Sequence, residues 1–253
     1  MKTTTFLACA LACSLRTQGG VIYDSFSPGD GFAATCSDLI SMEAGDYTRL
    51  AVPFTPLAPV TLDQITVAMT QVEGPNQVLL SVCPDAKGAP SASVVDRIEV
   101  DGFLSDEGSV RTGQSTLHPR LEMGASYWVV AQAVRPSSHA MRWHCAGTFV
   151  CGRAYQSIWC EGWGVDQEGT YALRVEGTVV PGTRPRLRCA AKGANVVVSW
   201  PTAFTGFVLE STADLGDRSS WSTVPVAPTV VGSELSVSEA VSVEARFYRL
   251  RSE

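Results

Sequence analysis

Residues 121–132, LEMGASYWVVAQ, decide the fold class. Met123-Gly124 reads as a turn that runs directly into Ser126-Tyr127-Trp128-Val129-Val130-Ala131. That run is aromatic and β-branched and carries no charge, so it predicts a central strand buried on both faces. Long segments on either side alternate and break at turns, as strands pairing around it should.

Working outward, residues 94–100 read as a strand, followed by a polar Gly/Ser/Asp loop through Gly113 and a short strand at 115–117. Residues 61–72 place Leu62, Ile65, Val67 and Met69 on a strand. Gly74-Pro75-Asn76 turns it back into 77–83, and 84–90 is a loop. Residues 47–54, YTRLAVPF, alternate and are closed by Pro53 and Pro56. Residues 21–32 give a short strand and a Pro28-Gly29-Asp30-Gly31 turn. Downstream, 135–138 is a turn, and 140–145, 148–155 and 170–179 complete the set. No segment of ten or more residues shows helical periodicity. The pattern predicts an all-β chain with an antiparallel, jelly-roll-like β-sandwich over 21–180.

Pro181-Gly182-Thr183-Arg184-Pro185 reads as a stiff linker. Beyond it, short strands are expected at 186–191, 195–200, 204–211, 220–224, 229–231, 234–237 and 246–251. They predict a second, smaller β-sandwich over 186–253, with Trp200 filling the core between its sheets. Its size implies modest independent stability.

Composition narrows the class. The chain has 253 residues, 45% hydrophobic and 17% charged, enough for a real core and too little charge for a disordered chain. A net charge of −6 without a basic run argues against nucleic acid. Residues 1–20 combine Lys2, an apolar run from Phe6 to Leu15, and a polar end, the pattern of a secretory signal. The run is far below the ~20 residues a membrane span needs. Ala10-Leu11-Ala12 also allows cleavage before Cys13, with lipid attachment as the weaker alternative. The expectation is a secreted or cell-surface monomer with no transmembrane span.

Of eight cysteines, Cys36, Cys83, Cys145, Cys151, Cys160 and Cys189 lie beyond the signal-like segment. An even number in an exported chain points to disulfides. Cys151 with Cys160 closes the shortest loop, whereas Cys189 stands alone in the second unit. A metal site at His144, Cys145, Cys151 and Cys160 is the sharper but less favoured reading, since no CxxC spacing occurs.

Trp143, Tyr155, Trp159 and Trp163, with Glu161, form the candidate ligand-binding set. Sugar rings stack on exposed aromatic faces while a nearby carboxylate accepts hydroxyl hydrogens. The plainer reading has these tryptophans capping the core. Paired carboxylates for glycoside hydrolysis would come from Glu161, Asp166 and Glu168 or from Asp101, Asp106 and Glu107, but both groups sit in turn-like stretches. No GxSxG occurs, and His118 and His139 read as exposed loop histidines. A structural calcium is conceivable at Asp24, Asp30 and Asp38 or at Asp166 with Glu168, without any EF-hand spacing. Phosphate-binding loops and dinucleotide fingerprints are absent.

Several pieces of the first unit resemble the choice-of-anchor R domain of bacterial surface proteins. They are Tyr23-Asp24-Ser25-Phe26 with Pro28-Gly29, Ala51-Val52-Pro53-Phe54-Thr55-Pro56, Ser81-Val82-Cys83-Pro84-Asp85 with Gly88 and Pro90, residues 121–130, and Leu173-Arg174-Val175-Glu176-Gly177-Thr178. The resemblance implies a secreted β domain with no catalytic residues to carry over. This chain departs from the pattern in its cysteines and in lacking the usual apolar tail. The second unit, through Val198-Ser199-Trp200-Pro201, Trp221 and Phe247-Tyr248-Arg249-Leu250, looks like a fibronectin-type-III-like module. The reading is a non-catalytic exported surface or matrix module for attachment or presentation, with other surface proteins as possible partners. The alternative is a carbohydrate-binding module contacting extracellular polysaccharide; a glycoside hydrolase is the lesser alternative.

Overall fold

The computed structural model describes residues 19–43, 46–134, 139–147, 153–157, 162–166, 169–204, 206–241 and 245–252, with backbone alone at 43, 46, 153–157, 165–166 and 218. The first part of the chain supplies β1 (Gly20–Asp24), β2 (Phe32–Glu43), β3 (Asp46–Phe54), β4 (Val60–Glu73), β5 (Gln77–Pro84), β6 (Asp96–Asp101) and β7 (Ser109–Gln114). Next come β8 (Arg120–Leu121), β9 (Tyr127–Ala133), β10 (His139–Ala146), β11 (Arg153–Ser157), β12 (Gly164–Asp166) and β13 (Leu173–Val179). These strands form one antiparallel sheet ordered β1-β13-β4-β10-β2-β3-β9-β5-β6, with β7 and β8 on the free edge of β4 and β11 and β12 beyond β3.

The sheet curls until its ends meet. Gly113 on β7 lies against Ile98 and Val100 of β6, although no ladder joins those strands. A side chain at Gly113 would occupy the space those two branched residues fill. The curl encloses Leu50, Val52, Leu62, Ile65, Leu80, Val129 and Trp143, all almost fully buried. The fold is therefore the expected all-β sandwich.

The expected central strand is β9, between β3 and β5 and buried on both faces. Val129 and Ala131 enter the main core, while Trp128 and Val130 enter a smaller cluster on the opposite face with Ala51 and Cys83. Asp85 helps build that second cover: its carboxylate accepts from Trp128 Nε1 (2.8 Å) and from the Gly88 N–H (3.0 Å). Lys87 and Gly88 have positive φ, 60° and 85°, which turn the loop back over the strand.

Strand β4, expected as a strand, is also the hub of the sheet. It pairs β13 and then β10 along one edge, and β8 and β7 along the other. Pro53 is tolerated in β3 because β11 pairs that edge only as far as Ala51.

Three expectations need correction. Strand β2 was not anticipated, because FAATCSDLISME is polar and only Ile40 is fully buried; pairing to β10 sustains it. Strand β7 lies where a polar loop was expected, with the short strand expected at 115–117 absent; β7 is held by its ladder to β4. Strand β12, GVD, is likewise defined by pairing to β11.

The seven strands expected after the linker are all present: β14 (Arg188–Lys192), β15 (Asn195–Pro201), β16 (Phe207–Thr212), β17 (Ser222–Thr223), β18 (Thr229–Val231), β19 (Glu234–Ala240) and β20 (Phe247–Ser252). They form sheets ordered β14-β15-β19-β18 and β17-β16-β20. Trp200 is buried with Val198, Leu209 and Val237, as its sequence setting predicts. This unit packs directly on β1. Thr202 Oγ1 donates to the Val21 carbonyl, and Gly20 sits where a side chain would strike the Ala203 backbone.

Candidate functional site

Cys36 and Cys145 form a disulfide between β2 and β10, with Cα atoms 5.4 Å apart. Local register explains the approach. His144 faces Ser37 but Cys145 faces Ala33, so residues 34–36 bulge and bring Cys36 beside its partner. Cys83 and Cys189 carry free thiols, contrary to their candidacy as disulfide partners. Cys83 is sealed in the outer cluster of β5, and Cys189 faces solvent on an edge strand, β14. The expected pair Cys151 and Cys160 lies outside the described residues.

The aromatic set separates. Trp143 is fully buried, with its ring stacked on Tyr171 (centroids 5.1 Å) and Nε1 donating to the Ala172 carbonyl at 2.9 Å. It is core and offers no face to a sugar; β10 is clamped between β2 and β4, which hides it. Trp159 and Glu161 lie outside the described residues, as does the side chain of Tyr155. Trp163 is half-buried and packs on the outer cluster of Trp128, Val130 and Cys83.

Around Trp163 the outer face holds a cavity of about 480 Å³. The register builds it: Arg97 on β6 pairs with Ser81 on β5, Ser81 with Val130 on β9, and Val130 with Ala51 on β3, two residues from Arg49. Period-two alternation puts these side chains on one face. Arg49, Arg97, Gln132, Ser81 and Trp163 line the cavity, with Cys83 at its floor. The Arg49 guanidinium lies 5.6 Å from the Trp163 ring centroid and 5.4 Å from that of Tyr47. A second hollow, lined by Tyr47, Leu79, Met42, Arg49 and Gln132, adjoins the first at Arg49 and Gln132. Burial pushes the Cys83 thiol pKa up despite the opposing pull of Arg49 and Arg97, which makes it a poor nucleophile.

The other candidates have structural partners. His139, expected to be exposed, is buried at the start of β10, where its Nδ1 accepts from the Val134 N–H at 2.8 Å. His144 is buried against Phe32, with Nε2 2.7 Å from Thr70 Oγ1; burial lowers its pKa. His118 is largely exposed and sits 3.5 Å from Asp63. Asp24 and Asp30 converge on the Arg174 guanidinium, and Asp38 accepts from the Tyr171 hydroxyl. Among the described residues no group of three or more His, Cys, Asp or Glu is arranged to hold a metal ion. Asp101, Asp106 and Glu107 are exposed; Glu168 and the side chain of Asp166 lie outside the described residues. Among the described residues no helix is long and apolar enough to cross a membrane.

Neither a protein-family model nor a curated protein matches the chain. The class defined by fold and site is an all-β chain with a disulfide and a cationic, aromatic-edged groove on its outer sheet face.

Proposed function

We propose that this chain is a non-catalytic module of an exported protein, used for attachment or presentation outside the cell. The observation that carries this reading is the Cys36–Cys145 disulfide, because such bonds persist in oxidising compartments. The signal-like residues 1–20 and the resemblance to choice-of-anchor R domains point the same way. The test is expression with the native N-terminus in a secretion-competent bacterium, followed by fractionation, N-terminal sequencing and thiol mapping. Export with removal of the leader and oxidised Cys36 and Cys145 is expected. An unprocessed cytoplasmic chain with both thiols reduced refutes the proposal.

Carbohydrate binding is the second reading. What favours it is the position of Trp163 at the rim of the outer-face cavity, beside Arg49 and Gln132. Aromatic rings beside polar groups suit sugars, whose C–H faces are apolar. With Trp143 in the core, Trp163 is the tryptophan of the set, among the described residues, that is placed to stack. Binding to a panel of bacterial and plant polysaccharides, lost in Trp163→Ala, is the expected result. A folded Trp163→Ala protein that binds as well as the parent removes this site.

A further inference from the structure

We infer that the leader is removed by hydrolysis of the Gly19–Gly20 bond and that the ammonium group this creates on Gly20 is held by the Asp63 carboxylate, at the junction of the two β units. This rests on the exported-module reading and adds where the chain is processed and what receives the new terminus.

The sequence narrows the cut first. A leader peptidase takes small residues one and three positions before the bond, beyond the apolar run. Ala10-Leu11-Ala12 and Ala12-Cys13-Ser14 meet the size rule, but both lie inside the run from Phe6 to Leu15. Thr17-Gln18-Gly19 is the first such triple after it.

The fold sets the other limit. Strand β1 begins at Gly20, which pairs with Gly177 on β13. Gly20 is buried, and a side chain there would come 2.5 Å from the Ala203 Cα. The next carbonyl, that of Val21, accepts from Thr202 Oγ1. A cut beyond Gly20 would therefore strip contacts that join β1 to both β13 and the second unit. Gly19, just before it, is exposed, so the bond between them divides exposed from packed backbone.

Asp63 supplies the counter-charge. The β4–β13 ladder slips so that Gln64 faces Glu176 while Leu62 faces Gly177, which leaves Asp63 as the extra residue of a bulge. Thr178 Oγ1 donates to its Oδ2 at 2.7 Å, and its Oδ1 lies 3.5 Å from His118 Nδ1. The same Oδ2 would be 2.9 Å from a Cβ on Gly19. The Gly20 nitrogen is bonded to the Gly19 carbonyl carbon, so hydrolysis puts the new charge one peptide unit from that oxygen. Water gives its hydroxyl to the Gly19 carbonyl and a hydrogen to the Gly20 nitrogen. At neutral pH the leader leaves as a carboxylate and the domain starts with an ammonium. Loss of Gly19 also vacates the space beside Asp63 that the ammonium then enters. A terminal ammonium ordinarily titrates near pH ~8, and a neighbouring carboxylate raises that value.

The full chain with its native N-terminus is expressed in a secretion-competent bacterium, and the exported protein is read by intact mass and N-terminal sequencing. A mature chain beginning at Gly20 is expected. The cut should be kept in Gly19→Ala and lost in Gly19→Leu, whose side chain is too large for the position before the bond. The purified parent and Asp63→Asn are then labelled at pH ~7 with a limiting amine-reactive acetyl ester, and the acetylated terminal peptide is quantified. The variant should react about threefold faster or more, because removing the ion pair raises the free-amine fraction. The parent labelled in about 1 M salt should move the same way, which tests the pair without a variant. An exported, processed chain that begins at Cys13, Leu15 or any other residue overturns the inference and leaves the export reading standing. Labelling unchanged by salt, or equal in a folded Asp63→Asn protein, overturns the role given to Asp63. An unprocessed chain retained in the cytoplasm overturns both readings.

Discussion

Replacing Cys36 and Cys145 together by alanine removes the one disulfide seen among the described residues, and the size of the effect follows from the loop it closes. The two cysteines are 109 residues apart in sequence. A cross-link of that span lowers the entropy of the unfolded chain by about 16 cal/mol/K, or about 4.8 kcal/mol at 25 °C. In the folded protein β2 and β10 stay paired through their ladder without it, and Cys36 is exposed, so alanine there leaves no deep cavity. The loss therefore falls on the unfolded state. With a urea m-value of about 2 kcal/mol/M, the midpoint should drop by roughly 2.4 M. Urea titration followed by far-ultraviolet circular dichroism measures it, and m should rise because the released chain expands further. Reducing the parent should reproduce most of the shift. A double variant within about 0.5 M of the oxidised parent refutes the reasoning, since the bond would then contribute only about 1 kcal/mol.

Four further outcomes can be checked. Trp143→Ala should destabilise by about 3–5 kcal/mol in thermal or urea melts, through loss of a buried indole, while any saccharide affinity of the folded variant stays unchanged; a near-neutral melt would contradict its burial. Gly113→Ala puts a methyl 2.6 Å from Val100 Cγ2 and hard against Ile98, so it should cost about 1–3 kcal/mol, partly recovered by trimming Val100 in a double-mutant cycle. Acid should weaken the fold in two stages. Burial holds the His144 pKa below its ordinary 6.5, so its contribution is complete above that pH and fades as pH falls below it. Hydrogen bonds from Arg251 and Arg249 hold Glu210 below 4.5, so its contribution is complete above 4.5 and fades below it; a stability curve flat from pH 7 to pH 5 would exclude the first stage, and one with no further loss from pH 5 to pH 2 the second. Finally, peptide-mapped alkylation of the native protein at neutral pH should label exposed Cys189 well before buried Cys83, the difference vanishing in denaturant.

The strands legible in the sequence are those with a strong side-chain signature. Tyr127 to Ala131 announces β9, Leu62 to Met69 announces β4, and in the second unit Gly193, Gly206, Pro228 and Gly232 mark the starts or ends of β14, β15, β16, β18 and β19. Strands β2 and β7 were not legible, because FAATCSDLISME and SVRTGQ hold no steady apolar alternation. Their backbone bonds are satisfied by neighbours far away in the chain, and a local pattern cannot register a distant partner. The candidate site was legible only at Trp163. Outward-facing Arg49 and Arg97 can be read from alternation in YTRLAVPF and DRIEV, but nothing local says that their faces adjoin.

Residue order alone therefore determined the all-β class and the buried character of Trp200. Both follow from local steric preference and from the free energy of removing apolar area from water, which a single segment already carries. Tertiary structure decided that Trp143 is core, that Cys36 takes Cys145 instead of a nearer thiol within the described set, and that two arginines and a tryptophan share a groove. Those outcomes depend on which strands pair and in what register. A shift of one residue sends every side chain of a strand to the opposite face, so pairing across long separations sets the chemistry of each surface.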